Sequence, residues 1–111
     1  LRVRQVISNL VSNAIKYTSE GRVTIRTLNV TPYVHIQIED TGIGISDVQQ
    51  QLVFIPFVQL DSRRVGVGLG LDIALQLVRL HGGDIQIESI PGQGSTFTIS
   101  LPISQQLAHP L

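Results

Sequence analysis

Three short stretches carry residues whose types and spacing could do chemistry. In "SNLVSNAIKYT", Asn9, Asn13 and Lys16 stand at i, i+4 and i+7 and so line one side of a helix. An amide oxygen is a neutral, hard ligand suited to Mg²⁺, an ion that keeps several waters and is shared with substrate phosphates; Lys16 would then meet a phosphate directly. A solvated polar face is the competing reading, yet such faces usually select Glu, Lys and Gln, which favour helix more than Asn does. In "EDTGIGIS", Asp40 ends an alternating strand and Gly42 and Gly44 follow. A carboxylate fixed there could accept a hydrogen bond from an exocyclic amine such as adenine N6, and the glycines would let a flat base lie against the backbone. An acidic strand end before a tight turn uses the same residues.

The third stretch, "VGVGLGLDIALQLVRLHGG", runs Gly66, Gly68 and Gly70 into helical spacing. It reads G-x-G-x-G, not G-x-G-x-x-G, and follows a polar loop instead of a strand, so it is not the dinucleotide fingerprint. No G-x-x-x-x-G-K-[ST] occurs either, which excludes a P-loop. Two readings remain: a backbone that closes on an anion at a helix N-terminus, or a mobile loop before a helix.

These residues need elements to hold them. From Val3 to Ile15 the apolar residues Val3, Val6, Ile7, Leu10, Val11, Ala14 and Ile15 step by threes and fours, which predicts an amphipathic helix. Gly21 ends that segment. "VTIRTLNV" and "YVHIQIED" then read as strands joined at Thr31-Pro32, with Val34, Ile36 and Ile38 alternating with His35, Gln37 and Glu39. Ser46 or Asp47 can cap a short helix through "VQQQL", and "VFIPFVQLDSRRVGVG", without a period and with Pro and Gly, reads as a long loop. A further helix is expected from about Leu69 to Leu80, stopped by Gly82-Gly83, and "DIQIESI" and "GSTFTISLP" form a hairpin around "PGQG". Hairpins clustered between helices predict an α+β, two-layer sandwich with a mixed, mostly antiparallel sheet and helices on one face. One domain over 1–103 and a tail or linker, "SQQLAHPL", over 104–111 complete the expected organisation.

Composition narrows the function classes. The 111 residues suffice for a single domain with a real core. Eight Lys and Arg balance eight Asp and Glu without a basic stripe, which argues against nucleic acid as a partner. Cysteine is absent, so no disulfide framework or thiolate zinc site is possible, and a cytoplasmic setting fits. No apolar run approaches the roughly 20 residues of a membrane span, so direct membrane contact by this segment is not expected.

In order along the chain, "NLVSNAIKYT" resembles the N box of the GHKL superfamily (DNA gyrase, heat-shock chaperone, histidine kinase and MutL), "DTGIGI" its G1 box, "FIPF" its F box and "GVGLGLDIALQLV" its G2 box. The version, including the closing "GQGSTFTISLP", is similar to that of sensor histidine kinases, and it covers almost the whole chain. The resemblance implies a Bergerat-type ATP-binding sandwich. In it Asp40 recognises adenine beside Gly42 and Gly44, Asn13 with Asn9 nearby holds Mg²⁺, and Lys16 and Tyr17 approach phosphates and base or ribose. Asn9, Asn13 and Lys16 are then the catalytic group. Gly66, Gly68, Leu69 and Gly70 close over the triphosphate, and Thr96 supports a water on the adenine side. Phe54 and Phe57 anchor the lid or simply pack in the core, and Arg63 and Arg64 reach the γ-phosphate or remain a solvated pair, in a loop shorter than usual for the family.

The same resemblance implies that the phosphate acceptor is a histidine on a separate dimerisation domain, with a response regulator further downstream. His35 on a strand, His81 at a helix end and His109 in the tail do not match that acceptor's motif. The chain also starts at the N-box helix, without the strand the family places before it, so an N-terminally truncated catalytic fragment acting in trans is expected. Hydrolytic branches carry a general-base Glu one turn before the Mg²⁺ asparagine; here that residue is Asn9, which cannot take a proton from water. Transfer to histidine is therefore favoured over two alternatives, an ATP-hydrolysing switch and a degenerate nucleotide-binding or interaction module.

Overall fold

The computed structural model describes residues 3–16, 18, 20–54 and 71–103. Helix α1 spans Val3–Lys16, strands β1 and β2 span Val23–Val30 and Tyr33–Asp40, the short helix α2 spans Asp47–Gln50, helix α3 spans Leu71–Leu80, and strands β3 and β4 span Asp84–Ile90 and Gly94–Pro102. The expectations for Tyr17, Phe57, Arg63, Arg64, Gly66, Gly68, Leu69, Gly70 and the tail 104–111 fall outside the described residues.

The strands form one sheet in the order β1-β2-β4-β3, antiparallel at each of its three junctions. The sheet was expected to be mixed and mostly antiparallel; among the described residues no parallel pair occurs. Its register sorts the side chains by face, because successive residues of a strand point to opposite sides. Ile36, Ile99 and Ile85 face one another across β2, β4 and β3, as do Ile38, Phe97 and Ile87 one row on. Helix α1 lies against β1 and β2 and helix α3 against β3 and β4, and the two helices touch.

Between the layers sits the core. Val6, Leu10 and Ala14 recur every fourth residue of α1 and are buried, as are Leu71, Ala74 and Val78 of α3. Leu10, Ile38, Ile99, Val6 and Val78 are the largest fully buried side chains, each stabilising the fold by about 1.5–3 kcal/mol through burial. The opposite face of the sheet is polar in its middle: Arg26, Gln37, Thr98 and Gln86 form one row, and Arg26 pairs with Glu39 at 3.1 Å.

Of the two expected caps for the short helix, Ser46 is the one used. Its hydroxyl accepts from the Gln49 N–H and the Gln49 side chain accepts from the Ser46 N–H, a closed capping box.

Candidate functional site

At one end of the sheet the apolar rows give way to a polar one. Following Ile38–Phe97–Ile87 on the helix-facing side, the next row is Asp40–Ser95–Ser89. Asp40 is only 6% exposed. Its Oδ1 accepts from the Gly42 N–H at 2.9 Å, so the turn after β2 folds back onto the carboxylate that precedes it. Burial pushes the Asp40 carboxyl above its ordinary value. Donation from the Gly42 and Ser95 main chains and the nearness of the Thr18 hydroxyl pull it down by less, and the like charge of Glu39 adds a small upward push. An ionised carboxylate only accepts hydrogen bonds, so this side chain offers an acceptor to a ligand N–H.

Ser89 pins the turn in place. Its hydroxyl accepts from the Ile45 N–H at 2.7 Å, donates to the Gly94 carbonyl at 2.9 Å and lies 2.8 Å from the Ser95 hydroxyl. Gln50 adds a clamp, donating from Nε2 to the Ile45 carbonyl at 2.9 Å, and the Gly92 N–H donates to the Ile43 carbonyl at 2.7 Å. Two glycines make these approaches possible. A Cβ at Gly44 (φ +74°) would run into the Ile90 carbonyl, and one at Gly94 (φ +118°) into the Asp40 carbonyl.

The second wall is α1. Asn13 is buried, at 8% exposure, beside Leu10 and Ala14, and its Nδ2 donates to the Asn9 carbonyl at 3.2 Å. Its nitrogen is thus committed, and its oxygen is the atom available to a cation. A side chain so placed does not fit the solvated-face reading: positions 10, 13 and 14 are neighbours on a helix, so the polar strip borders the apolar stripe instead of opposing it. Asn9 is half-buried and Lys16 exposed at the end of the helix. Just beyond it the Thr18 Oγ1 is buried without a hydrogen-bond partner among the described residues, although it lies near enough to Asp40 to favour the charged carboxylate. A buried hydroxyl left unmade costs about 1–3 kcal/mol.

Thr96 does not share this face. Its cross-strand partners are Glu39 and Glu88, so it points to the side of the sheet away from the helices, while Ser95 is the residue directly opposite Asp40. The parity was legible: Phe97, Ile99 and Leu101 must face the core, so Ser95 faces it too and Thr96 does not. Ser89 and Thr18 carried no comparable sequence signal. Phe54 is half-buried and packs against the core cluster, which matches the packing alternative for it.

A cleft of about 660 Å³ opens around the end of the sheet, lined among others by Asp40, Ser95, Gln50, Glu39, Asp47 and Glu88. Its acidic lining repels phosphate. Lys16, exposed at the end of α1, lies outside that lining. Among the described residues no three His, Cys, Asp or Glu gather to hold a metal. A single amide oxygen fits an Mg²⁺ that arrives on a triphosphate and keeps most of its waters.

This arrangement defines the chain's class. The family described as histidine kinase-, DNA gyrase B-, and HSP90-like ATPase matches residues 1–105, and the chain belongs to it. Within that family its relatives include the circadian input-output histidine kinase CikA of Synechococcus elongatus, 49% identical over 99% of this chain and 15% of that protein. The alginate biosynthesis sensor protein KinB of Pseudomonas aeruginosa is 40% identical over 93% of this chain and 18% of its own length. Among solved structures, full-length ShkA in complex with AMPPNP superposes with a TM-score of 0.83 at 33% identity, covering 91% of this chain and 21% of that one. The chain thus spans less than a fifth of the length of these curated relatives.

Proposed function

We propose that this chain binds Mg²⁺-ATP and delivers the γ-phosphate to a histidine on a separate dimerisation domain, as the catalytic part of a two-component sensor kinase working in the cytoplasm upstream of a response regulator. The observation that carries the reading is the buried Asp40, ringed by main-chain donors at the end of β2. An acceptor fixed in that way selects an amino-substituted base, and Asn13 lies on the helix that packs against the same strand. Gly42 and Gly44 shape the turn over which the base lies.

Phosphoryl transfer asks the protein for positioning and charge neutralisation more than for covalent chemistry. Asn13, with Asn9 one turn away, would hold the Mg²⁺ that would neutralise the phosphates. Lys16 contributes a further positive charge, and Tyr17, Arg63, Arg64 and the segment Gly66, Gly68, Leu69 and Gly70 complete the phosphate side. An imidazole nitrogen of the acceptor forms a bond to the γ-phosphorus as the bond to the bridging oxygen breaks, and ADP leaves with that electron pair. His35 on β2 and His81 following α3 are half-buried, and we read them as structural or solvated residues, not as the acceptor.

Hydrolysis is the lesser reading because Asn9 occupies the position where a general base would act. The test supplies the matching helical domain together with γ-labelled ATP. Acid-labile phosphate on histidine, lost in the Asp40→Ala and Asn13→Ala variants, is the expected result. Free phosphate accumulating with no phosphohistidine would establish the hydrolase instead, and no nucleotide binding at all would leave an interaction module.

A further inference from the structure

Thr18 stands two residues beyond α1, its main-chain N–H donating to the Ile15 carbonyl at 3.3 Å and its methyl directed toward Gly21. The neighbouring Thr41 hydroxyl has a use, accepting from the Arg22 N–H at 2.9 Å. Thr18 Oγ1, by contrast with the exposed Thr41, is buried, has no such partner among the described residues and lies near the Asp40 carboxylate. Buried polar groups are paired in the great majority of cases, so an orphan beside a ligand-facing carboxylate calls for a role. A carboxylate offers about four lone-pair directions. The Gly42 and Ser95 N–H groups use two of them, which leaves one for a ligand N–H and one for Thr18.

We propose, building on the nucleotide reading above, that Thr18 is a positioning residue for base recognition: its hydroxyl donates to Asp40 when a 6-aminopurine docks, keeps that carboxylate an acceptor, and thereby sets the preference for 6-amino over 6-oxo purines. A base lying on Asp40 removes the water that remains there, and in the drier site a donor to the carboxylate is worth more. The charge state reads the base. An ionised carboxylate accepts from a 6-amino group, whereas a protonated one donates to a 6-oxo group. The charged groups that share the cleft of Asp40 are Glu39 on its own strand, Glu88 of β3 and Asp47 of α2; Lys16, at the end of the helix packed on β2, is outside that lining. Burial and, less, the like charge of Glu39 oppose ionisation, so the uncharged donor on the α1 side acts against both.

The experiment compares ATP and inosine triphosphate, which differ in this group, by Mg²⁺-dependent calorimetric titration of wild type, Thr18→Val and Thr18→Ser, alongside the nucleotide-free Tm. For Thr18→Val the expected Tm is unchanged or higher, because a methyl of the same shape replaces an unpartnered hydroxyl. Its ATP affinity falls by about 10–100-fold, that of one hydrogen bond to a charged group, while inosine triphosphate binding holds, so the ratio between the two collapses. Thr18→Ser restores the ratio. A lower Tm in Thr18→Val with both nucleotides weakened equally would mark Thr18 as structural and overturn the proposal. ATP bound with an unchanged ratio would overturn it alone, and wild type binding neither nucleotide would overturn the base-site reading with it.

Discussion

The two walls of the site are built differently. The hairpin wall is dense: Ser89 makes three hydroxyl contacts of 2.7–2.9 Å, Gln50 clamps the turn, and Gly44 and Gly94 allow backbone to lie against backbone. On the α1 wall the Asn13 Nδ2 donates to the Asn9 carbonyl at 3.2 Å, and the Thr18 hydroxyl is buried without a hydrogen-bond partner among the described residues. A planar base of fixed outline rewards a rigid acceptor, because ordering costs are met during folding instead of during binding. A solvated metal–triphosphate changes shape and charge along the reaction, and under the proposed function it would be met on the α1 side, where Asn13 keeps its amide oxygen toward the site.

The sharpest way to break this comparison is to neutralise the rigid wall's acceptor. Asp40→Asn should weaken ATP by about 10–100-fold, the worth of a hydrogen bond to a charged group of about 1.5–3 kcal/mol, as read by calorimetry. The nucleotide-free protein should be as stable as wild type at neutral pH or more so. The sign follows from the raised pKa: the folded state holds the Asp40 proton more tightly than the unfolded chain, so ionising the group costs stability as pH rises from its unfolded value through the folded one. An equal affinity in Asp40→Asn would sink the adenine assignment.

A smaller effect is expected from loosening the hinge of that wall. Ser89→Ala removes the acceptor for the Ile45 N–H and the donor to the Gly94 carbonyl, and it should lower stability by about 1–2 kcal/mol. Hydrogen exchange at the Ile45 amide should speed up more than at Ile38 or Ile99 in the core. Uniform acceleration across the sheet would mean that the turn and the core unfold as one unit.

Much of this was open to reading from the chain. Alternation in "YVHIQIED" and in "TFTISL" fixed which side chains enter the core, and the fourfold spacing of Val6, Leu10 and Ala14 fixed the face of α1. The register then carries Asp40 to the row just past the last apolar one, which is why a strand-end acid reads as a site residue. The same alternation sets Thr96 opposite Glu39 and Glu88 on the other face, from which it lines the cleft at the sheet's end together with Asp40. Ser89 and Thr18 were invisible for another reason. A serine near a turn and a threonine after a helix are ordinary there, and their roles arise only from partners 44 residues away in the case of Ser89 and Ile45, and across the helix–sheet junction in the case of Thr18.

The pH profile probes the comparison with a gentler hand. Nucleotide needs the ionised Asp40, whose pKa lies above the ordinary carboxylate value, so ATP affinity should fall as pH drops through that raised value while nucleotide-free stability gains from the same protonation. Subtracting the profile of Asp40→Asn isolates the group from the other acids. Parallel profiles for the two proteins would show that Asp40 does not titrate on binding.

The smallest expected change comes from Glu39→Gln. Glu39 points to the far side of the sheet, where it pairs with Arg26 at 3.1 Å, and both side chains are substantially exposed. An exposed pair of this kind is worth under about 1 kcal/mol, so Tm should barely move. Yet its charge is one of the two influences that raise the Asp40 pKa, the lesser one after burial. Removing it should shift the pH midpoint of ATP binding slightly downward with the affinity at neutral pH intact. A midpoint that stays fixed would mean that solvent at the sheet's end screens the two carboxylates completely, and that burial alone sets the acidity of the rigid wall.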